Sequence, residues 1–244
     1  GHSYKGLCDM VNGYYFTYSE TKPIKFNPFY IGDGDILDTE KKESIKTLLL
    51  ALWKKDNETF NRSEYVALSN ALQLYFEKVE KDKSIFPCFD SFYDFLKDDF
   101  VAVLKGDNVK DKDFDVSNFL YVLRPYYKGG EFDYLLNADE NLDLLQQRFI
   151  VFELDNIKDH PILFPVVTII IMEVFISKMR KLKGIRKMIL IEEAWKAIAK
   201  EGMAEYIKYL FKTVRKFFGE AIVVTQEVED IISSPVVKQA IINN

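Results

Sequence analysis

The order of hydrophobic periods predicts an α/β protein: a parallel sheet with an all-helical block set between its first strands and the rest. Three observations carry this. Met188–Ile191 and Ala221–Val224 are short continuous apolar runs, and residues 149–154 are apolar but for Glu153, the pattern of strands buried on both faces. Helical patterns alternate with them, giving strand–helix–strand–helix–strand in the C-terminal part. Residues 38–128 carry helical periodicity and no strand pattern. The expected division is 1–37 for the first strands, 38–130 for the helical subdomain and 131–244 for the remaining core.

The first segment offers two strand-like runs. Tyr14-Tyr15-Phe16-Thr17-Tyr18 follows Gly13, and Ile24-Lys25-Phe26 follows Pro23. Their aromatic and β-branched content favours strands, with Ser19-Glu20-Thr21-Lys22 as the turn between them. Asn27-Pro28-Phe29 stops the second, because proline cannot donate to a ladder. Gly32-Asp33-Gly34-Asp35 reads as a loop.

Helices follow. Asp38 or Thr39 caps the first, whose apolar stripe is Ile45, Leu48, Leu49 and Leu52. Asn61, with Glu64 three residues on, has the spacing of a capping box and precedes the stripe Tyr65, Leu68, Leu72, Tyr75, Phe76, Val79. Asp90 or Ser91 starts a third helix, carrying Phe92, Phe95, Leu96, Phe100, Val103 and Leu104 to about Gly106. A fourth runs from Val116 to about Tyr126, and Gly129-Gly130 breaks it. Such stripes read as core.

From Arg148 the period changes to that of buried strands. The strand of residues 149–154 ends in Asp155, which reads as a loop or cap residue. The helix after Pro161 is apolar nearly all round from Ile162 to Ile176, so it should be buried. Lys178, Arg180, Lys181 and Lys183 close it. Helical patterns after Ala194 and Met203 flank Gly202, and Gly219 precedes the last strand.

Composition sets limits. The chain has 244 residues, 48% hydrophobic and 29% charged, with 20 Phe and 14 Tyr, which suits a soluble globular protein with a large core. The net charge of −5 gives no global attraction to nucleic acid or anionic lipid. Cys8 and Cys88 match no metal-ligand spacing and read as reduced thiols of a cytosolic protein. His2 and His160 cannot build a metal site by themselves. The run Ile162–Met172 is too short to span a bilayer, which takes roughly 20 residues. The start at Gly1 and the end at Asn243-Asn244, just after a helical pattern, lead us to expect a piece of a longer protein.

The chemistry gathers where strands end. Glu192 and Glu193 follow the Met188 strand, and Thr225 and Gln226 follow the Ala221 strand. Ligands of open parallel sheets bind beyond the carboxyl ends of the strands. A nucleotide-hydrolysing site there needs one carboxylate for the water around Mg²⁺, a second to orient the attacking water, and a polar side chain to sense the γ-phosphate. The competing reading of Glu192-Glu193 is the first turn of a helix, where carboxylates suit the positive dipole end.

At these residues the chain resembles a family. Ile191-Glu192-Glu193-Ala194-Trp195-Lys196, then Thr213-Val214-Arg215-Lys216, then Val224-Thr225-Gln226, resemble the motor ATPases of conjugative type IV secretion, in particular the TraG type of conjugative transposons. Gly1-His2-Ser3-Tyr4-Lys5-Gly6-Leu7, the run at Tyr14–Tyr18 and Asn27-Pro28-Phe29 are also similar to that family, so the resemblance covers nearly the whole chain. It implies a RecA-like ASCE P-loop NTPase sheet, incomplete at its N-terminus, with an all-helical insertion. It further implies ATP and Mg²⁺ as ligands and homo-hexamers working with conjugation proteins at the inner membrane, on its cytoplasmic side.

Carried over by position, the resemblance gives Glu192 the Walker-B, metal-side acid and Glu193 the catalytic glutamate. It gives Gln226, beside Thr225, the sensor role, and Arg215 a reach to the phosphates of its own or a neighbouring site. The alternative for Arg215 and Lys216 is a solvated helix end. Two departures stand out. The chain has no G-x-x-x-x-G-K-[ST]; Gly32-Asp33-Gly34 and Gly129-Gly130 lack the following Lys-Ser/Thr. In the family that loop precedes the Gly1-His2-Ser3-Tyr4 motif, so this chain is expected not to hydrolyse ATP alone. Glu192 stands where related ATPases more often have Asp. Two other functions stay open: a non-catalytic interaction domain whose helical block docks partners, and a DNA-pumping translocase. Net acidity speaks against the latter, while the basic cluster Lys178–Lys187 speaks for it.

Overall fold

In a computed structural model, three short strands pair in the order β1-β2-β3, all parallel. They are β1 (Tyr14–Thr17), β2 (Phe149–Glu153) and β3 (Met188–Ile191). The structure describes residues 9, 14–32, 37–54, 58–139, 149–181 and 188–191. The chain divides into two compact units, one of Gly1–Ile24 with Leu142–Asn244 and one of Lys25–Asn141.

In the sheet unit, Tyr14 pairs with Ile150 and Thr17 with Glu153, while Phe149 pairs with Met188 and Phe152 with Ile191. Phe152, Glu153 and Leu154 are all buried. A run with consecutive residues buried is covered on both faces, which is why it reads as continuous rather than alternating. The Phe16 and Phe152 rings, level in the register, lie 5.6 Å apart. After β2 a 3₁₀ turn, Asp155–Ile157, leads to a long helix, Leu163–Lys181. Leu163, Phe164, Val166, Val167, Ile169, Ile170, Ile171 and Met172 are buried, as the sequence predicts for this stretch, whereas Ile162 just ahead of the helix is exposed. Pro165 falls in its first turn, where no intrahelical N–H is required. His160 caps this helix: its Nδ1 accepts from the Leu163 N–H at 2.9 Å and the Ile162 N–H at 3.3 Å.

The second unit is helical and has no strand among its described residues. Its helices are α1 (Thr39–Trp53), α2 (Arg62–Lys81), α3 (Phe89–Phe95), α4 (Val101–Gly106) and α5 (Val116–Leu123). Asp38 caps α1 by accepting from the Lys41 N–H at 2.8 Å. Asn61 and Glu64 form the expected reciprocal box at the head of α2, and Glu64 also pairs with Lys54 at 2.6 Å. The stripes converge on aromatic clusters. Phe29, Tyr75 and Phe92 meet with ring centres 5.1–5.6 Å apart. Trp53 lies edge-on to Phe114 and Phe119.

The structure differs from the local expectations at four points. Ile24-Lys25-Phe26 is not a strand: Phe26 alone pairs, donating to the Leu135 carbonyl and accepting from the Ala138 N–H, because its partner is an irregular segment with no ladder to extend. The third helix starts at Phe89 with Cys88 at its N-cap, rather than at Asp90 or Ser91. Ser91 sits one turn in and accepts from the Cys88 N–H at 3.2 Å. That helix does not run evenly to Gly106, because residues Leu96–Phe100 widen into a π turn that joins α3 to α4. The fourth helix tightens to 3₁₀ over Arg124–Tyr126.

Candidate functional site

The three strands run the same way, so their carboxyl ends share one edge. Thr17 is level with Glu153, and Ile191 with Phe152, the residue before Glu153. Neighbouring strands lie about 4.8 Å apart, so the ends of β1, β2 and β3 form one short front. The Tyr18 N–H continues the ladder by donating to the Glu153 carbonyl at 3.1 Å, and Asn156 Nδ2 donates to the Tyr18 carbonyl at 2.9 Å. These bonds fix the loops that leave β1 and β2.

Among the described residues, one carboxylate stands on this front. Glu153 is 5% exposed. Its Oε2 accepts from the Tyr15 hydroxyl at 3.4 Å and the Thr17 hydroxyl at 3.3 Å. Tyr15 and Thr17 alternate along β1, so both present their hydroxyls to the same face. Among the described residues no Lys or Arg forms an ion pair with Glu153. Burying a carboxylate costs free energy that hydrogen bonds must offset, and the described bonds to this one come from two hydroxyls. Asp155, by contrast, is half-exposed and pairs locally with Lys158 at 3.1 Å, in keeping with a turn residue.

Of the residues the sequence singles out, Glu192, Glu193, Arg215, Thr225 and Gln226 lie outside the described residues, as do the expected strand Ala221–Val224 and the helices after Ala194 and Met203. The strand expected to deliver Glu192 and Glu193 forms, and it is described as far as Ile191. Glu153 is the functional candidate that sequence reasoning missed. Its signal is a carboxylate closing an otherwise apolar run, Phe149–Phe152.

Among the described residues no group of three or more His, Cys, Asp or Glu side chains is placed to cage a metal. Among the described residues, the polar groups on the strand front are oxygens: one carboxylate and two hydroxyls. That set fits a hard cation that keeps most of its waters and takes few protein ligands, as Mg²⁺ does. No helix among the described residues is long and apolar enough to cross a membrane.

A parallel sheet with a helix crossing from β2 to β3 defines an α/β protein, the class in which ligands bind beyond the carboxyl ends of the strands. The family is specific: the profile of the TraG P-loop domain matches residues 1–244, and the chain belongs to that family. Protein TraC of Escherichia coli (strain K12) is 23% identical over 238 residues, 96% of this chain and 26% of TraC. The chain therefore spans about a quarter of the length of this curated relative. The structure of VirB4 of Thermoanaerobacter pseudethanolicus matches with a TM-score of 0.58 at 17% identity, over 97% of this chain and 63% of that one. This is a likeness of fold.

Proposed function

We propose that this chain supplies the acidic edge of an ATP-hydrolysing site in a motor of conjugative type IV secretion, on a RecA-like ASCE sheet with a helical insertion. The observation that carries the reading is the parallel order β1-β2-β3, whose third strand runs directly into Glu192-Glu193. Membership of a P-loop family supports it.

In this reading Glu193 orients the attacking water. The water oxygen bonds to the γ-phosphorus, the bond to the β–γ bridging oxygen breaks, and the proton leaves with the phosphate product. Glu192 would hold water on the metal side, and a bound Mg²⁺ would supply neutralisation of phosphate charge. Gln226, with Thr225, senses the γ-phosphate, and Arg215 stabilises transition-state charge from its own or the neighbouring subunit of a hexamer. Such work is positioning and electrostatics, so short polar groups at rigid strand ends suit it. The Lys and backbone N–H groups that cradle phosphates are not among these 244 residues, since the sequence holds no G-x-x-x-x-G-K-[ST]. The helical unit is the surface on which conjugation proteins at the inner membrane would dock.

The test is Glu193→Gln in the natural full-length protein. ATP turnover should disappear while nucleotide binding persists. Full turnover in the variant would overturn the reading and favour an interaction domain on an ATPase-like scaffold.

A further inference from the structure

The strand front holds a carboxylate that the proposed mechanism does not use. Glu153 ends β2, the strand hydrogen-bonded to β3. It is buried, and the hydrogen bonds that its side chain makes to described residues reach Oε2, from Tyr15 and Thr17. Oε1 has no described partner. Buried acceptors are nearly always satisfied, by protein or by ordered water. Two hydroxyls on Oε2 hold the carboxylate in one orientation, and among the described residues Oε1 remains available to accept.

We infer that Glu153 is a positioning residue of the nucleotide site, using Oε1 to hold an ordered water at the carboxyl edge of the sheet beside the end of β3. The inference rests on the nucleotide reading above. The geometry favours it over a purely structural tie. A structural tie between β1 and β2 needs no charge, and a threonine or glutamine would give the same hydroxyl and amide bonds without the cost of burying a carboxylate. Tyr15 and Thr17 then act through Glu153 by fixing its rotamer, as outer-shell partners do for carboxylates at reacting centres.

The experiment compares Glu153→Gln and Glu193→Gln in the natural full-length protein, reading kcat, KM for ATP and melting temperature. Glutamine keeps the shape of Glu153 and an oxygen for Tyr15 and Thr17, and removes only the charge. A positioning role lowers kcat about 10–100-fold, the usual effect of losing an outer-shell partner, with KM and melting temperature unchanged. Wild-type kcat, or a loss of kcat matched by a loss of thermal stability, would overturn it. If Glu153→Gln does not fold, Glu153→Asp decides: it keeps the charge and retracts the carboxylate by one methylene, so kcat should fall at unchanged melting temperature. Unchanged kcat in that variant also ends the proposal. Loss of turnover in Glu193→Gln with none in the Glu153 variants defeats this inference alone. Retained turnover in Glu193→Gln defeats the nucleotide reading and this inference with it.

Discussion

Thr17 and Glu153 stand level across β1 and β2, and the threonine hydroxyl donates to the glutamate Oε2 at 3.3 Å. The pair joins residues 136 positions apart in sequence. It also marks the one described place where a charged group is taken into the sheet unit at a strand end.

Residues 1–244 on their own should show no ATP turnover, because nothing in the sequence matches the loop whose lysine and N–H groups hold the β- and γ-phosphates. A coupled phosphate-release assay checks this. Turnover by this chain that Glu193→Gln removes would contradict it.

Asn27 should be the most sensitive polar position of the helical unit. It is fully buried. Its amide donates to the carbonyls of Pro87 at 2.8 Å and Ala138 at 3.0 Å, and its Oδ1 accepts from the Phe29 N–H at 2.9 Å. Asn27→Ala strands those groups, at about 1–3 kcal/mol for each buried partner left unmade. Urea denaturation followed by Trp53 fluorescence, with Trp195 changed to Phe, should show a clear fall in midpoint. Asn27→Asp should be no better, since it turns a carboxylate towards two carbonyl oxygens.

The glycines make a contrast. A Cβ on Gly130 would lie 2.4 Å from the Pro125 carbonyl oxygen and 2.7 Å from that of Arg124. The turn must open to admit it, and overpacking of this kind costs about 1–3 kcal/mol. A Cβ on Gly106 meets nothing within 4 Å, and Gly106 is the last residue of α4. Gly130→Ala should lower the melting temperature, and Gly106→Ala should leave it unchanged or raise it.

Alkaline pH should loosen the helical unit. The Tyr127 hydroxyl donates to Asp94 Oδ1. That bond first, and burial second, push the phenol up to about 12. A raised phenol stabilises the fold fully below its ordinary value of about 10, and the contribution is lost as pH rises from there through about 12. Lys46 works in the same direction. Burial pulls it down, but the hydrogen bond with Tyr65 and the contacts with Glu43 outweigh this and leave it raised. Melting temperature against pH should therefore fall above pH 10, and Tyr127→Phe should flatten the slope without abolishing it.

The sequence made the strands and helix starts legible where one signal dominated. The runs at Phe149 and Met188 are apolar without a break, and Asp38 and Asn61 have short polar side chains directly ahead of apolar stripes. It misled where the deciding partner was distant. Phe26 looks like a strand residue, yet its backbone bonds go to Leu135 and Ala138, which no local pattern reveals. The π turn at Leu96–Phe100 is silent because Leu96 and Phe100 are buried together, a spacing that an α-helix also allows. Glu153 lay inside the strand expected over 149–154, but nothing local showed that hydroxyls of Tyr15 and Thr17, far away in sequence, would meet its carboxylate. Glu192, Glu193, Arg215, Thr225 and Gln226 were legible by motif and lie outside the described residues.

The two backbone bonds between Phe26 and the Leu135–Ala138 segment have a kinetic meaning. Pairing β1 with β2 closes a very long loop of chain, and closure entropy grows with the length left free. A helical unit whose ends are already clasped at Phe26 shortens that free length to the few residues on either side. Helices built from local contacts form sooner than pairings across distant sequence. The insertion is thus expected to fold before the sheet pairs, so that assembly runs from the middle of the chain outwards.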